Sequence, residues 1–215
     1  MTSPIQYVFF ATLCLNLLGG ATEKEVGPPD LCACETSKVK NGWCSRCNTG
    51  FVASFRVSSQ LLFEALDAHG HDIDPSCIQC PTCKKAMESD GYCDGCRMGF
   101  VRKQLYMSRL SYYLARGEAK EVSTITCPIC RKNAEKFGWC DACGLGMLGN
   151  VAIKNREEFE QGAKVFERFL AAMEILKTCE MCAAASMFDG KCPKCRLEFK
   201  DGKPKNSPNP KVVGP

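Results

Sequence analysis

Eighteen cysteines in 215 residues set the chemistry open to this chain, and sixteen of them fall in four segments of like spacing. In Cys80, Cys83, Cys93 and Cys96, in Cys127, Cys130, Cys140 and Cys143, and in Cys179, Cys182, Cys192 and Cys195, a C-x-x-C pair is followed by nine residues and a second C-x-x-C. The earliest segment gives Cys32, Cys34, Cys44 and Cys47, with Leu31 at the leading position and C-x-C in place of C-x-x-C. Two knuckles whose sulfurs converge can complete a tetrahedron around one cation. The same sixteen thiols could instead close as eight disulfides, the outcome an oxidising compartment favours. Metal is the stronger expectation, because each segment supplies four ligands without help from the rest of the chain.

Stepping outward from the sulfurs, the four segments run from Leu31 to Phe51, Cys80 to Phe100, Cys127 to Met147 and Cys179 to Phe199. The equivalent cysteines Cys34, Cys83, Cys130 and Cys182 lie 49, 47 and 52 residues apart, so insertions fall between the cysteine units. Such a period marks repeated modules. The nine-residue spacer is expected to form a hairpin, because Asn41-Gly42, Asp90-Gly91 and Asp189-Gly190 suit a type I′ turn, with Phe137-Gly138 a weaker version. Trp43, Tyr92 and Trp139 are expected to cover the metal on one side, as Phe51, Phe100, Met147 and Phe199 would on the strand leaving the second knuckle, and in doing so to form an ordinary small hydrophobic core.

With these pairs flanking a small hairpin, each segment resembles the short zinc ribbons, including the double zinc ribbon and rubredoxin-like knuckle families. The likeness covers about 20 residues per repeat and implies a structural tetrathiolate site, with no partner or reaction attached. Its implied cofactor is zinc, about four ions in all, with iron as the alternative. The first repeat is where a missing or irregular site is expected.

The connectors carry helical patterns. Ser58 or Ser59 can cap a helix through Leu61, Leu62, Ala65 and Leu66 that ends at Gly70, and a second runs from Leu105 through Leu110, Tyr113 and Leu114 to Gly117. Asn155 with Glu158 can box the start of a long amphipathic helix through Phe159, Phe166, Phe169 and Leu176. The expected fold is α+β: four small tetrathiolate zinc-ribbon β-hairpin modules joined by three α-helical connectors, with several small cores rather than one large one. Its divisions are residues 1–21 as signal peptide or N-terminal anchor, 22–30 as linker, 31–70, 77–117 and 127–178 as ribbons 1 to 3 with their helices, 179–200 as ribbon 4, and 201–215 as a disordered tail.

Two histidines, His69 and His71, stand together near Cys77 and form a possible additional metal site. Cys77 has no counterpart in the other repeats; it can exchange as a ligand, bridge to another molecule or stay a thiol. At the N-terminus, the apolar run Ile5–Leu18 followed by Gly19-Gly20-Ala21 reads as an export signal, which places the protein outside the cytoplasm as secreted or periplasmic; an uncleaved membrane anchor is the alternative, and then the only membrane contact. A net charge of +4, from 28 basic and 24 acidic residues without a dense basic run, leaves nucleic acid unsupported. No Ser/His/Asp grouping, phosphate loop or H-E-x-x-H supports an enzyme. The expected function is therefore a non-catalytic scaffold or protein-interaction module, with CxxC redox chemistry or rubredoxin-like electron transfer as the alternative.

Overall fold

The structure is a computed structural model that describes residues 34–205. The expected signal or anchor of residues 1–21, the linker 22–30, Leu31, Cys32 and residues 206–215 lie outside the described residues.

The nine-residue spacer begins in a helix in every repeat and only then turns toward the second knuckle, which corrects the expected hairpin. These helices are α1 (Cys34–Val39), α3 (Pro81–Glu88), α5 (Pro128–Ala134) and α7 (Glu180–Phe188). Cys80, Cys127 and Cys179 are the N-caps of the last three. Pro81 and Pro128 occupy the first helical turn, where a missing N–H costs nothing. The Asn-Gly and Asp-Gly pairs end these helices rather than turning a hairpin. Asn41 (φ 52°), Asp90 (φ 52°) and Asp189 (φ 53°) take the left-handed conformation. The N–H of the glycine that follows each then reaches back five residues: Gly42 to the Ser37 carbonyl at 2.7 Å, Gly91 to Ala86 at 2.7 Å and Gly190 to Ala185 at 2.9 Å.

The same Asn and Asp side chains tie the helix end to a later turn. Asn41 Oδ1 accepts the Ala53 N–H at 2.8 Å, Asp90 Oδ1 that of Arg102 at 2.7 Å and Asp189 Oδ1 that of Asp201 at 2.7 Å. In the third repeat Phe137 stands at this position, and the Lys136 carbonyl takes over by accepting the Gly149 N–H at 2.9 Å.

Each helix leads into an antiparallel meander. In the first repeat this is β1 (Trp43–Cys44), β2 (Thr49–Val52) and β3 (Phe55–Val57); in the second, β4 (Tyr92–Cys93), β5 (Met98–Val101) and β6 (Gln104–Tyr106). The third has β8 (Phe137–Cys140), β9 (Leu145–Leu148) and β10 (Val151–Ile153), with β7 (Glu118–Ala119) added beside β10. The fourth has β11 (Phe199–Lys200) paired with β12 (Lys203–Pro204), and a single bridge between Lys191 and Glu198. Residues 201–205, read from sequence as the start of the tail, are thus the turn and outer strand of this repeat. Positive φ at Ala53 and Ser54, at Arg102 and Lys103, and at Asp201 and Gly202 marks the tight turns between the later strands.

Three connector helices follow: α2 (Gln60–Leu66), α4 (Arg109–Arg116) and α6 (Arg156–Leu176). Ser59 caps the first and Asn155 the third, whereas Glu158 turns its carboxylate to Arg116 instead of closing a box. The first helix stops at Asp67 (φ 46°) rather than Gly70, and Leu105 belongs to β6 instead of the second helix.

These helices gather one core that all four repeats share, alongside three small cores built on cysteines. The shared core holds Val52, Leu62 and Leu66 of the first repeat, Leu110 and Tyr113 of the second, Leu148 and Ile153 of the third, and Ala183 and Met187 of the fourth, around Phe166 and Phe169 of α6. The several small cores expected from the sequence are thus joined by a larger shared one, to which all three connectors contribute apolar residues. Ser59 Oγ donates to Glu180 Oε2 at 2.8 Å, joining the first connector to the last cysteine helix across 121 positions.

One packing device recurs. Across the first two strands Trp43 faces Gly50, Tyr92 faces Gly99 and Trp139 faces Gly146. An aromatic from the next connector lies over each glycine, giving ring pairs Trp43–Phe63 at 5.3 Å, Tyr92–Tyr112 at 5.4 Å and Trp139–Phe159 at 5.5 Å. A Cβ added at Gly50, Gly99 or Gly146 would come within 2.3, 2.5 or 2.2 Å of that second ring. The fourth repeat puts Lys191 opposite Glu198 at this register and receives no such ring among the described residues. Gly99→Ala is accordingly expected to destabilise the fold by about 1–3 kcal/mol, the cost of overpacking a filled site. Glu198→Ala is expected to change stability by less than about 0.5 kcal/mol, as at an ordinary surface position. Denaturant titration of both variants checks the contrast.

Candidate metal centres

Three complete cysteine quartets form, each from one helix and one strand turn. Cys80, Cys83, Cys93 and Cys96 converge with every pair of sulfurs within 4.8 Å, as do Cys127, Cys130, Cys140 and Cys143, and Cys179, Cys182, Cys192 and Cys195. The leading pair opens the repeat's first helix, so the first and second sulfurs sit one turn apart. Cys93 and Cys140 end the first strand of their repeats and Cys192 follows the single Lys191 bridge, and the residue after the fourth cysteine turns the chain in left-handed backbone: Arg97 (φ 57°), Gly144 (φ 61°) and Arg196 (φ 58°). Asn48 (φ 47°) does the same in the first repeat.

The sulfur spacings fit a cation better than bridges. Cys127 and Cys140 sulfurs are 3.8 Å apart, Cys179 and Cys192 3.9 Å, and Cys179 and Cys195 3.8 Å. A tetrahedron with metal–sulfur arms of about 2.3 Å has edges of about 3.8 Å. A disulfide needs about 2.05 Å. The quartets are therefore positioned to bind metal, each with four thiols and no position left for another protein ligand.

The first repeat brings together Cys34, Cys44 and Cys47. Among the described residues there are thus three quartets and one group of three; Cys32, the expected fourth ligand of the repeat where an irregular site was expected, lies outside them.

Around each quartet the protein is divided by face. Phe100 packs with Cys83 and Cys93, Met147 with Cys130 and Cys140, and Phe199 with Cys182 and Cys192, on the side where the sequence put them. Tyr92 and Trp139 are core residues as expected, but of the shared core rather than of a cover over the quartet. Strand alternation sends the residue before a buried cysteine to the opposite face. The Arg109 guanidinium lies 4.7 Å from the Tyr92 ring centre and that of Arg156 5.4 Å from Trp139. These arginines also pair with Asp94 and Asp141, the residues just after the third cysteines, and so brace each knuckle against its connector.

Thiol acidity is uneven within a quartet. The Cys83 N–H, bonding to Cys80 sulfur, brings that thiol down to about 7, and the Cys130 and Cys182 N–H groups hold Cys127 and Cys179 at about 7. Burial pushes the second thiols, Cys83, Cys130 and Cys182, far upward. Cys96 is raised to about 11, again chiefly by burial. Without metal the second cysteine of each quartet thus keeps its proton at neutral pH, and an incoming cation displaces it. Binding is expected to release protons and to weaken as pH falls. Calorimetric titration in two buffers of different ionisation enthalpy measures the release; buffer-independent heats would contradict it.

The two histidines come together with Asp67, a residue the sequence reading missed, and not with Cys77, which ends the short 3-10 turn Pro75–Cys77. Asp67 is missed because its left-handed turn, ending a helix earlier than Gly70 suggests, folds the chain back on itself. No protein-family model, curated protein or solved structure matches the chain.

Proposed function

We propose that this protein is a zinc-binding scaffold whose ions staple four repeats around a shared core, and that its surface serves a protein partner rather than a reaction. The observation that carries the reading is the sulfur geometry: separations of 3.8–3.9 Å in quartets whose members come from two elements of the same repeat. Four cysteines fill a tetrahedral site completely, and a filled site holds structure without offering a position for substrate. Zinc suits that role because it has no redox chemistry and only mild geometric demands. Export to a secreted or periplasmic location rests on the N-terminal apolar run. Nucleic acid is not assigned as a partner, since the charge of +4 is spread through the sequence.

The test is metal analysis with thiol counting on full-length protein purified without reductant. Three to four zinc ions per chain, lost together with the fold on chelation, support the reading. Iron with a visible charge-transfer band would replace it with electron transfer, and eight disulfides without metal would overturn it.

A further inference from the structure

Beyond the cysteine centres, the junction of the first and second repeats carries a cluster of different chemistry. One oxygen of Asp67 lies 3.3 Å from His69 Nδ1 and the other lies 2.8 Å from His71 Nε2. All three donor groups fall within 4.8 Å of one another, and the two rings are 4.6 Å apart.

The backbone that carries them is fixed at both ends. Asp67 closes α2, its N–H bonded to the Phe63 carbonyl at 3.3 Å. His71 exchanges two 2.9 Å backbone hydrogen bonds with Leu105 of β6. Between the histidines, Gly70 is pressed so closely onto β6 that a Cβ would lie 2.6 Å from Gln104 Oε1 and 2.8 Å from the Tyr106 hydroxyl. The short loop therefore cannot lift off its strand without breaking these contacts.

We propose that Asp67, His69 and His71 form a divalent transition-metal site, separate from the thiolate centres and open to solvent. Two imidazoles and a carboxylate are a borderline-to-hard donor set, suited to zinc, nickel or copper(II) rather than to a soft ion. Metal arms of about 2.0–2.2 Å place tetrahedral donor atoms about 3.3–3.6 Å apart; the His69–Asp67 separation of 3.3 Å already meets this, and the 2.8 Å His71–Asp67 hydrogen bond lengthens by less than about 1 Å when a cation replaces its proton. The His69 side chain is 60% exposed, so solvent completes the coordination sphere. Three protein ligands with open positions make this site exchangeable, in contrast to the closed quartets.

The geometry specifies which nitrogens bind: Nδ1 of His69 and Nε2 of His71. Full-length protein, with its thiolate sites filled and unbound metal removed, is titrated with zinc while the imidazole nitrogens are followed by long-range proton–nitrogen NMR. The expected result is one further equivalent, with saturable shifts at His69 Nδ1 and His71 Nε2. H71Q and D67N are each expected to weaken that equivalent about tenfold or more, at least the loss seen when a mere supporting group of a metal site is removed. Their thiolate-bound metal should be unchanged, which separates loss of the site from loss of the fold. The proposal is overturned if those nitrogens do not shift in zinc excess, if the other ring nitrogens shift instead, or if both variants bind as the parent does. Because the imidazoles report on this cluster alone, these outcomes stand whatever metal the cysteines hold.

Discussion

Cys140→Ser is expected to lower the bound metal by one ion per chain and to unfold the third repeat. Cys140 is 1% exposed and ends β8, where its sulfur faces that of Cys127 at 3.8 Å. A serine hydroxyl neither ionises near neutral pH nor matches thiolate affinity for zinc. The binding free energy of a structural tetrathiolate zinc, about 10–16 kcal/mol, is also folding free energy. It equals or exceeds the total stability of an ordinary domain, about 5–15 kcal/mol. The small core around Cys130, Cys140 and Met147 has little else to hold it. Metal-to-protein ratios and hydrogen exchange read the two parts of the result: one ion fewer, and protection lost first in residues 127–153. An unchanged ratio with unchanged exchange would refute the staple.

Phe166→Ala is expected to do the reverse, costing about 3–5 kcal/mol while leaving every ion in place under native conditions. The Phe166 ring is fully buried in the middle of α6. It meets Phe55 of the first repeat edge-on at 5.5 Å, Phe137 of the third at 6.3 Å and Phe169 on its own helix at 5.5 Å. The cavity left behind would be lined from several repeats, so no single module can collapse to refill it. Denaturant unfolding of the metal-loaded variant should shift to lower concentration as one transition, with the metal ratio unchanged before unfolding. A loss confined to one repeat would mean that the core is divided after all. Together the two substitutions separate what the ions hold from what the apolar surface holds.

The sulfur positions were legible in the sequence because ligand spacing is a local code: nine residues between pairs recur at Cys83, Cys130 and Cys182 alike. What filled those nine residues was misread. Asn-Gly and Asp-Gly satisfy a left-handed backbone wherever it is needed, and a helix stop needs it as much as a hairpin does. The deciding signal was present in Cys80-Pro81 and Cys127-Pro128, since proline one residue past a cap starts a helix. The shared core was not legible. Phe55 meeting Phe169, or Ser59 meeting Glu180, joins residues more than a hundred positions apart, and no periodicity encodes such a pairing. For the aromatics, strands of two residues at Tyr92 and four at Trp139 were too short for alternation to fix which face either ring would take.

The hydrogen bond from Ser59 to Glu180 bears on the order of events during synthesis. The first connector leaves the ribosome well before the helix that covers it, with 121 positions between the two bonded residues. Leu62 and Leu66, wholly buried in the finished protein, must wait for that partner in a partly exposed state. Local helices and turns can close at once, but a contact of such sequence separation closes last and slowly. On the proposed scaffold reading, bound zinc would hold the second and third repeats through the interval in which their apolar faces have nothing yet to meet.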